Sequence, residues 1–194
     1  QKENSDIVIM NSPEFLREAN ARNDVFHPDR NIIGITEMNE ELLSHAKEVM
    51  ALFPKAPYEK ICRAEEAELT KYGGNNFLFW KVIFMNMLYD TTISLGADWD
   101  VIKENMIADP RIGSSHMTPV HTSGHGGKGG RGAGGHCFIK DFSAFLELYE
   151  QSTHDTLGVE VLRAIEKKNI DLLTKTEKDL DLLRGVYGEK YNEK

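Results

Sequence analysis

The sequence predicts a mainly α, α+β fold, and three observations predict it. Strand-like and helix-like segments alternate over residues 1–60; long runs with apolar residues spaced by three and four fill most of the chain after residue 60; and a glycine-rich stretch interrupts those runs once. The expected organisation is therefore a small α/β segment at 1–60 and a helical segment at 61–194 that carries a glycine-rich loop at 112–136.

In chain order, residues 6–10 (Asp-Ile-Val-Ile-Met) read as a short buried strand ended by Asn11-Ser12-Pro13. Ser12 suits a helix cap and Pro13 the first helical position, which places a short helix at 14–21. Residues 31–35 read as a second strand, and 36–53 as a helix with Leu42, Leu43, Ala46, Val49, Met50 and Phe53 on its apolar stripe. Two short strands make a poor sheet by themselves and expect neighbours.

After Pro54 and Pro57 the period becomes helical. Residues 65–95 place Leu69, Tyr72, Phe77, Trp80, Phe84, Met87 and Leu88 at helical spacing. Gly73-Gly74 interrupts this helix at ~1 kcal/mol each relative to Ala. Such a pair implies either the close approach of another helix or a ligand, or a break. A short helix occupies 98–106. Residues 110–137 are too long and too poor in apolar side chains for an ordinary connector. Helix resumes at 141–151, and 155–187 reads as one long amphipathic helix with Leu157, Val161, Ile165, Leu172, Leu180 and Leu183 as its seam. That length fits a helix-mediated dimer or a long arm packed across its own domain. Residues 188–194 read as frayed.

The formal charge of −8 disfavours nucleic acid and anionic membrane as partners, while leaving room for an anionic small ligand held by a few focused cations. No apolar run reaches the length of a membrane span and no signal peptide is visible. Cys62 and Cys137 could form one disulfide, but a reduced, cytoplasmic setting suits a chain with so few cysteines better. Position 1 is Gln, which is expected of a processed terminus or of a piece of something longer.

Several constellations can carry chemistry. Glu14 and Glu18, four apart on the expected helix, could order a water or bind sugar hydroxyls, or could be an exposed acidic face. Lys71 and Asn75 are also four apart, an anion or oxyanion site if desolvated and a solvated helix face otherwise. Cys137 follows Gly134-Gly135-His136, where glycines leave room for a ligand close to the backbone and a helix start favours the thiolate. Asp141 lies four residues on; an inert buried cysteine would leave the glycines unexplained. The run from Gly124 to Gly135 has no Gly-Lys-Ser/Thr and no buried strand leading into it, which argues against a Walker A loop and a dinucleotide fingerprint there. His116, His121, His125 and His136 match no common zinc spacing, so no metal is expected.

Four segments in order resemble the UDP-glucose/GDP-mannose dehydrogenase family: residues 11–18 (Asn-Ser-Pro-Glu-Phe-Leu-Arg-Glu) with His27-Pro-Asp-Arg30, residues 67–75 (Ala-Glu-Leu-Thr-Lys-Tyr-Gly-Gly-Asn), Asp109-Pro-Arg-Ile-Gly113, and residues 132–141 (Gly-Ala-Gly-Gly-His-Cys-Phe-Ile-Lys-Asp). The resemblance implies that 1–60 is the end of an NAD-binding Rossmann domain and that 61–194 is a helical, 6-phosphogluconate-dehydrogenase-like central domain that forms a homodimer. It implies oxidation of a sugar C6 alcohol to the acid with two NAD+. Cys137 would form the thiohemiacetal and then the thioester, Lys71 and Asn75 would stabilise the alkoxide-like oxygen, Asp141 would move the proton, and Glu14 would position the hydrolytic water. Phe15, Leu16, Glu18, Arg111, Gly132, Gly134 and Gly135 would bind the nucleotide sugar, Arg111 across the dimer, while Glu18 and Lys140 would meet the cofactor.

The sequence departs from the family pattern at Gly73-Gly74, at Ala19 and at Ile139, where glycine and proline respectively are common at the last two positions. The 112–136 loop matches the longer family forms. No Gly-x-Gly-x-x-Gly follows an early strand, so the isolated chain is expected to lack dehydrogenase activity. A non-catalytic dimerisation or nucleotide-sugar-binding module is the second reading; UDP-glucose is the default ligand among the family's nucleotide sugars.

Overall fold

A computed structural model describes residues 7–123 and 126–188. The chain forms two compact units, residues 1–74 and 75–194, each with its own core. The division falls inside one continuous helix.

The first unit is built on a three-stranded sheet in which β1 (Met10–Asn11) runs antiparallel to β2 (Arg30–Ile35), and β2 runs parallel to β3 (Tyr58–Arg63). Strand β2 is the centre of the unit because it pairs on both edges and carries Ile33 and Ile35, both fully buried. They pack against Leu42, Ala46 and Met50 of helix α2 (Glu40–Met50). Gly34 is required there by space, since a Cβ would stand 2.7 Å from the Cα of Ala64.

Three expectations change in this unit. The strand expected at 6–10 shrinks to Met10–Asn11; Asp6 lies outside the described residues, and Ile7, Val8 and Ile9 stand exposed, paired with no strand among the described residues. The helix expected at 14–21 does not form. Residues 12–17 are irregular, a 3-10 turn occupies Glu18–Asn20, and the helix α1 spans Ala21–Phe26. The cause is Asp24, which draws the backbone N–H of Arg17 at 2.8 Å and leaves Arg17 extended. The helix α2 starts at Glu40 rather than at 36, because Asn39 caps it by accepting the Leu42 N–H at 2.9 Å. Strand β3 was not foreseen; its residues, Tyr-Glu-Lys-Ile-Cys-Arg, carry little apolar alternation.

Helix α3 (Ala64–Ser94) runs unbroken through Gly73-Gly74, so the break is excluded. No described atom lies within 4 Å of a Cβ on Gly73, so close approach by another helix of the described chain is excluded there too.

The second unit continues with α4 (Trp99–Ile107), capped by Asp98, a hairpin of β4 (His121–Ser123) and β5 (Gly126–Gly130), α5 (Gly135–Ser152), α6 (Thr156–Thr176) and α7 (Leu180–Tyr187). Phe79 stacks on Phe142 with centroids 4.1 Å apart, at the heart of a core that includes Val82, Ile83, Leu162 and Leu172. A stacked pair of this kind contributes about 0.5–1.5 kcal/mol beyond its area. Ile139, Leu173 and Leu183 form a second cluster beneath α7.

Two expectations change here as well. Helix α5 begins at Gly135, six residues before the expected start, which puts Cys137 in its first turn. The single helix expected at 155–187 is two helices, because Glu177 and Asp179 take left-handed backbone (φ 53° and 51°) and Lys178 between them turns inward and is fully buried. Leu172 and Leu183 of the expected seam are spent on the unit's own core, whereas Leu157 and Val161 are exposed. The expected fraying at 188–194 falls, beyond Gly188, outside the described residues.

Candidate functional site

Five of the expected residues lie in the first unit. The loop 12–17 is held open by its own carboxylate: Glu14 accepts the Leu16 N–H. Lys71, on the first half of α3, donates to the Glu14 backbone carbonyl and stands 3.4 Å from its carboxylate. Only 18% of the Lys71 side chain is exposed, so it is not the solvated lysine of an ordinary helix face. Phe15 lies beneath the Arg30 guanidinium at 3.9 Å from ring centre, with the Lys71 ammonium at 5.8 Å. Glu14, Phe15, Leu16 and Arg30 line a cleft of about 550 Å³. Glu18 stands in the exposed 3-10 turn, not on a shared helix face with Glu14.

The second unit brings together Asn75, Lys140 and Asp141. Asp141 is 3% exposed; Asn75 Nδ2 donates to its Oδ2 at 2.5 Å and Lys140 Nζ meets its Oδ1 at 2.5 Å. Asp141 lies one helical turn beyond Cys137, and the thiol is half-buried and in no disulfide. The glycine loop leading to it has Gly132 and Gly135 at φ +93° and +83°, backbone that a side chain disfavours.

Arg111 is not among this group in the chain as described. Its guanidinium is 87% exposed and folds back onto Asp109 at 2.6 Å, which holds its pKa above the ordinary arginine range. The turn that carries it is tied down by Lys81, whose Nζ donates to Ile112 O at 2.9 Å and Gly113 O at 3.1 Å. Burial lowers the pKa of the Lys81 ammonium.

Sequence reasoning missed the side chains that grip the glycine loop. Arg131 reaches Asn86 Oδ1 at 2.8 Å and Asp90 at 2.7 Å on α3. Asn169 of α6 makes two bonds to Ala133, accepting its N–H at 2.7 Å and donating to its carbonyl at 3.0 Å. Asn86 and Asn169 carry a legible signal, since each is a polar residue within a helix stripe otherwise apolar. Among the described residues no three His, Cys, Asp or Glu side chains converge as a metal site requires; His125 lies outside them.

Residues 65–171 match the model of the UDP-glucose/GDP-mannose dehydrogenase family's central domain, and residues 1–54 match that of its NAD-binding domain. The chain is 33% identical over 184 residues to UDP-glucose 6-dehydrogenase YwqF of Bacillus subtilis (strain 168), covering 94% of this chain and 38% of that protein. It is 34% identical over 167 residues to the UDP-glucose 6-dehydrogenase of Pseudomonas aeruginosa PAO1, covering 84% of this chain and 33% of that one. The chain thus spans about a third of the length of these relatives. Among solved structures, a UDP-glucose dehydrogenase from Pyrobaculum islandicum superposes with a TM-score of 0.67 at 31% identity, over 87% of this chain and 37% of that one. A UDP-D-ManNAc dehydrogenase from Pyrococcus horikoshii shares the fold, with a TM-score of 0.66 at 19% identity over 88% of this chain and 36% of that one. With both of its units matched in family order, the chain belongs to the UDP-glucose/GDP-mannose dehydrogenase family.

Proposed function

We propose that the chain carries the substrate-side chemistry of a nucleotide-sugar 6-dehydrogenase acting on UDP-glucose. The supporting observation is Cys137 in the first turn of α5, behind a glycine loop, with the buried Asp141 one turn on and bonded to Asn75. A helix start favours a thiolate, and the thiolate is the nucleophile.

Cys137 Sγ attacks the C6 aldehyde to give a thiohemiacetal. Loss of hydride leaves a thioester, and water releases the acid and restores the thiol. Lys71 and Asn75 stabilise the negative oxygen, a duty that suits an ammonium and an amide donor, each exchanging its present partner for substrate. Asp141 takes and returns the proton, and Glu14 positions the water. Phe15, Leu16 and Glu18 hold the sugar, the backbone of Gly132, Gly134 and Gly135 lies along it, and Arg111 serves the nucleotide of a partner subunit's substrate.

NAD+, when bound, would accept one hydride in each of the two oxidations, a fresh molecule for each, and Glu18 and Lys140 are the residues we assign to it. The described residues hold no glycine-rich turn after a strand to cradle its pyrophosphate; the link from β2 to α2 is Thr36-Glu37-Met38-Asn39. The reduced thiol that this chemistry needs fits a cytoplasmic location.

A homodimer belongs to the same proposal. With the C-terminal helix divided, the support comes from α3, where Phe77, Trp80, Phe84 and Met87 form an exposed stripe, Phe77 70% exposed.

The second reading is a non-catalytic dimerisation or nucleotide-sugar-binding module, which the exposed stripe on α3 supports equally well. Acid formation from UDP-glucose and NAD+ separates the two readings, assayed with the longest product of the reading frame and its Cys137→Ser variant. The dehydrogenase reading expects acid from the parent and none from the variant; equal products, or none from either, overturn it.

A further inference from the structure

A loop of glycines has no side chains with which to hold itself, so its shape is set by whatever grips its backbone. Besides the bonds from Asn169 and Arg131, the loop before Cys137 is gripped from the turn between α6 and α7. Lys178, fully buried there, directs Nζ to Gly132 O at 3.0 Å, Gly130 O at 3.5 Å and His121 Nε2 at 3.1 Å. His121 Nδ1 faces the Thr118 carbonyl at 3.0 Å, so that nitrogen carries the proton and Nε2 is free to accept. Three ammonium hydrogens thereby meet three acceptors.

Asp179, the next residue, accepts the Gly135 N–H on Oδ2 at 2.8 Å and the Ser123 hydroxyl on Oδ1 at 3.0 Å. Gly135 is the first residue of α5, whose own capping position, Gly134, has no side chain to offer. Asp179 therefore caps, from another element, the helix in whose first turn Cys137 sits. The fit is close: a Cβ on Gly134 would fall 2.0 Å from Asp179 Oδ2. The left-handed backbone at 177 and 179 is what turns Lys178 inward and aims Asp179 at the helix start.

We infer that Lys178 and Asp179 are positioning residues for Cys137: they fix the glycine loop and the start of α5, and they place opposing charges on the loop and the helix start that carry it. The inference rests on the reading of Cys137 as the nucleophile. The ammonium favours the thiolate, whereas the carboxylate, placed on the first amide of the helix, opposes it. Burial draws the Lys178 ammonium down to about 8, and burial together with Lys178 lowers His121, so near neutral pH the first is charged and the second is not. Glu177, at the same turn, pairs with Lys128 of β5 at 2.7 Å on the surface, and Lys175 before it pairs with Asp171 at 2.8 Å.

The test is the rate at which iodoacetamide alkylates Cys137 in the 194-residue chain near neutral pH, followed peptide by peptide with Cys62 as internal control. Lys178→Met is expected to slow Cys137 about fivefold and Asp179→Asn to accelerate it about threefold, the scale of a charge at a helix end. Lys178→Arg, keeping the charge, stays within about twofold of the parent. A merely structural role loosens the same loop in both neutral variants and moves both rates the same way; that outcome, or unchanged rates, overturns the inference. Should Lys178→Met fail to fold by circular dichroism, Asp179→Asn decides alone, and a slower or unchanged rate there overturns the inference. Opposite shifts, with no acid from the longest product of the reading frame, would uphold the positioning pair while removing the dehydrogenase reading; acid from that product with shifts in one direction would do the reverse.

Discussion

Asn75 and Asp141, sixty-six positions apart, meet through a 2.5 Å hydrogen bond between α3 and α5, with Asp141 almost wholly buried. The bond joins a helix interior to the helix that carries Cys137, so it has a structural duty whatever its catalytic one. Asp141→Ala leaves the Asn75 amide without its acceptor, and by the usual cost of a lost buried charge with its partners it should destabilise the fold by roughly 2–4 kcal/mol. Lys140→Ala removes only the mostly exposed partner and should change stability by less than about 1 kcal/mol. Urea unfolding of the two variants measures both, and equal losses would refute the distinction.

Two glycines with the same sequence signature should respond oppositely to alanine. A Cβ on Gly73 meets nothing within 4 Å inside α3, so Gly73→Ala should stabilise by about 1 kcal/mol through helix propensity alone. Gly134→Ala places a methyl against Asp179 Oδ2 and should displace the cap on Gly135. Thermal unfolding reads the first; the amide proton exchange rate of Gly135, expected to rise in Gly134→Ala, reads the second.

How far the sequence carries the fold depends on which interactions are local. Helix α3 was legible because apolar residues recur at three and four from Phe77 to Leu88, although Leu69, Phe77, Trp80, Phe84 and Met87 of that stripe stand exposed and Phe79, Val82 and Ile83 form the buried face; strand β2 was legible because its apolar run is continuous. The helix expected at 14–21 failed because Asp24, which was not in the capping pattern, takes the Arg17 N–H. The long C-terminal helix failed for a similar reason: Lys178 and Asp179 look like solvated helix residues until the carbonyls of Gly130 and Gly132 and the amide of Gly135 arrive from elsewhere in the chain to claim them. Among the site residues, Cys137, Asp141 and Lys71 could be singled out by neighbouring glycines and helical spacing, whereas the partners of the loop backbone become visible only in three dimensions.

The turn between α6 and α7 offers a further contrast. Left-handed backbone costs a residue with a side chain about 1–2 kcal/mol, which glycine avoids at the expense of a more flexible unfolded chain. Glu177 has φ 53° and an exposed side chain paired with Lys128 on the surface. Glu177→Gly should therefore raise the melting temperature by roughly 2–4 °C. Asp179→Gly relieves a similar strain yet removes the acceptor of Gly135 and Ser123, and should lower it. Calorimetry on the two variants checks the signs, and a rise in both would show that the backbone outweighs the cap.

Acid should find the first unit through Asp24. Its carboxyl is held far below the usual carboxylate range, chiefly by the hydrogen bond from the Arg17 side chain, then by that from the Arg17 backbone N–H, with Asn20 adding a third donor and burial working against them. An acid that binds its proton less tightly in the folded state contributes stability that is present above its unfolded pKa, near 4, and is lost as pH falls below that value toward the folded one. Asp24→Asn keeps the size of the side chain and removes the charge, so at about pH 6 the variant should melt below the parent, and the gap between them should narrow steadily as the pH is lowered from about 4 to 2. A gap that stayed constant over that range would mean that Asp24 acts through packing alone and that Arg17 does not depend on its charge.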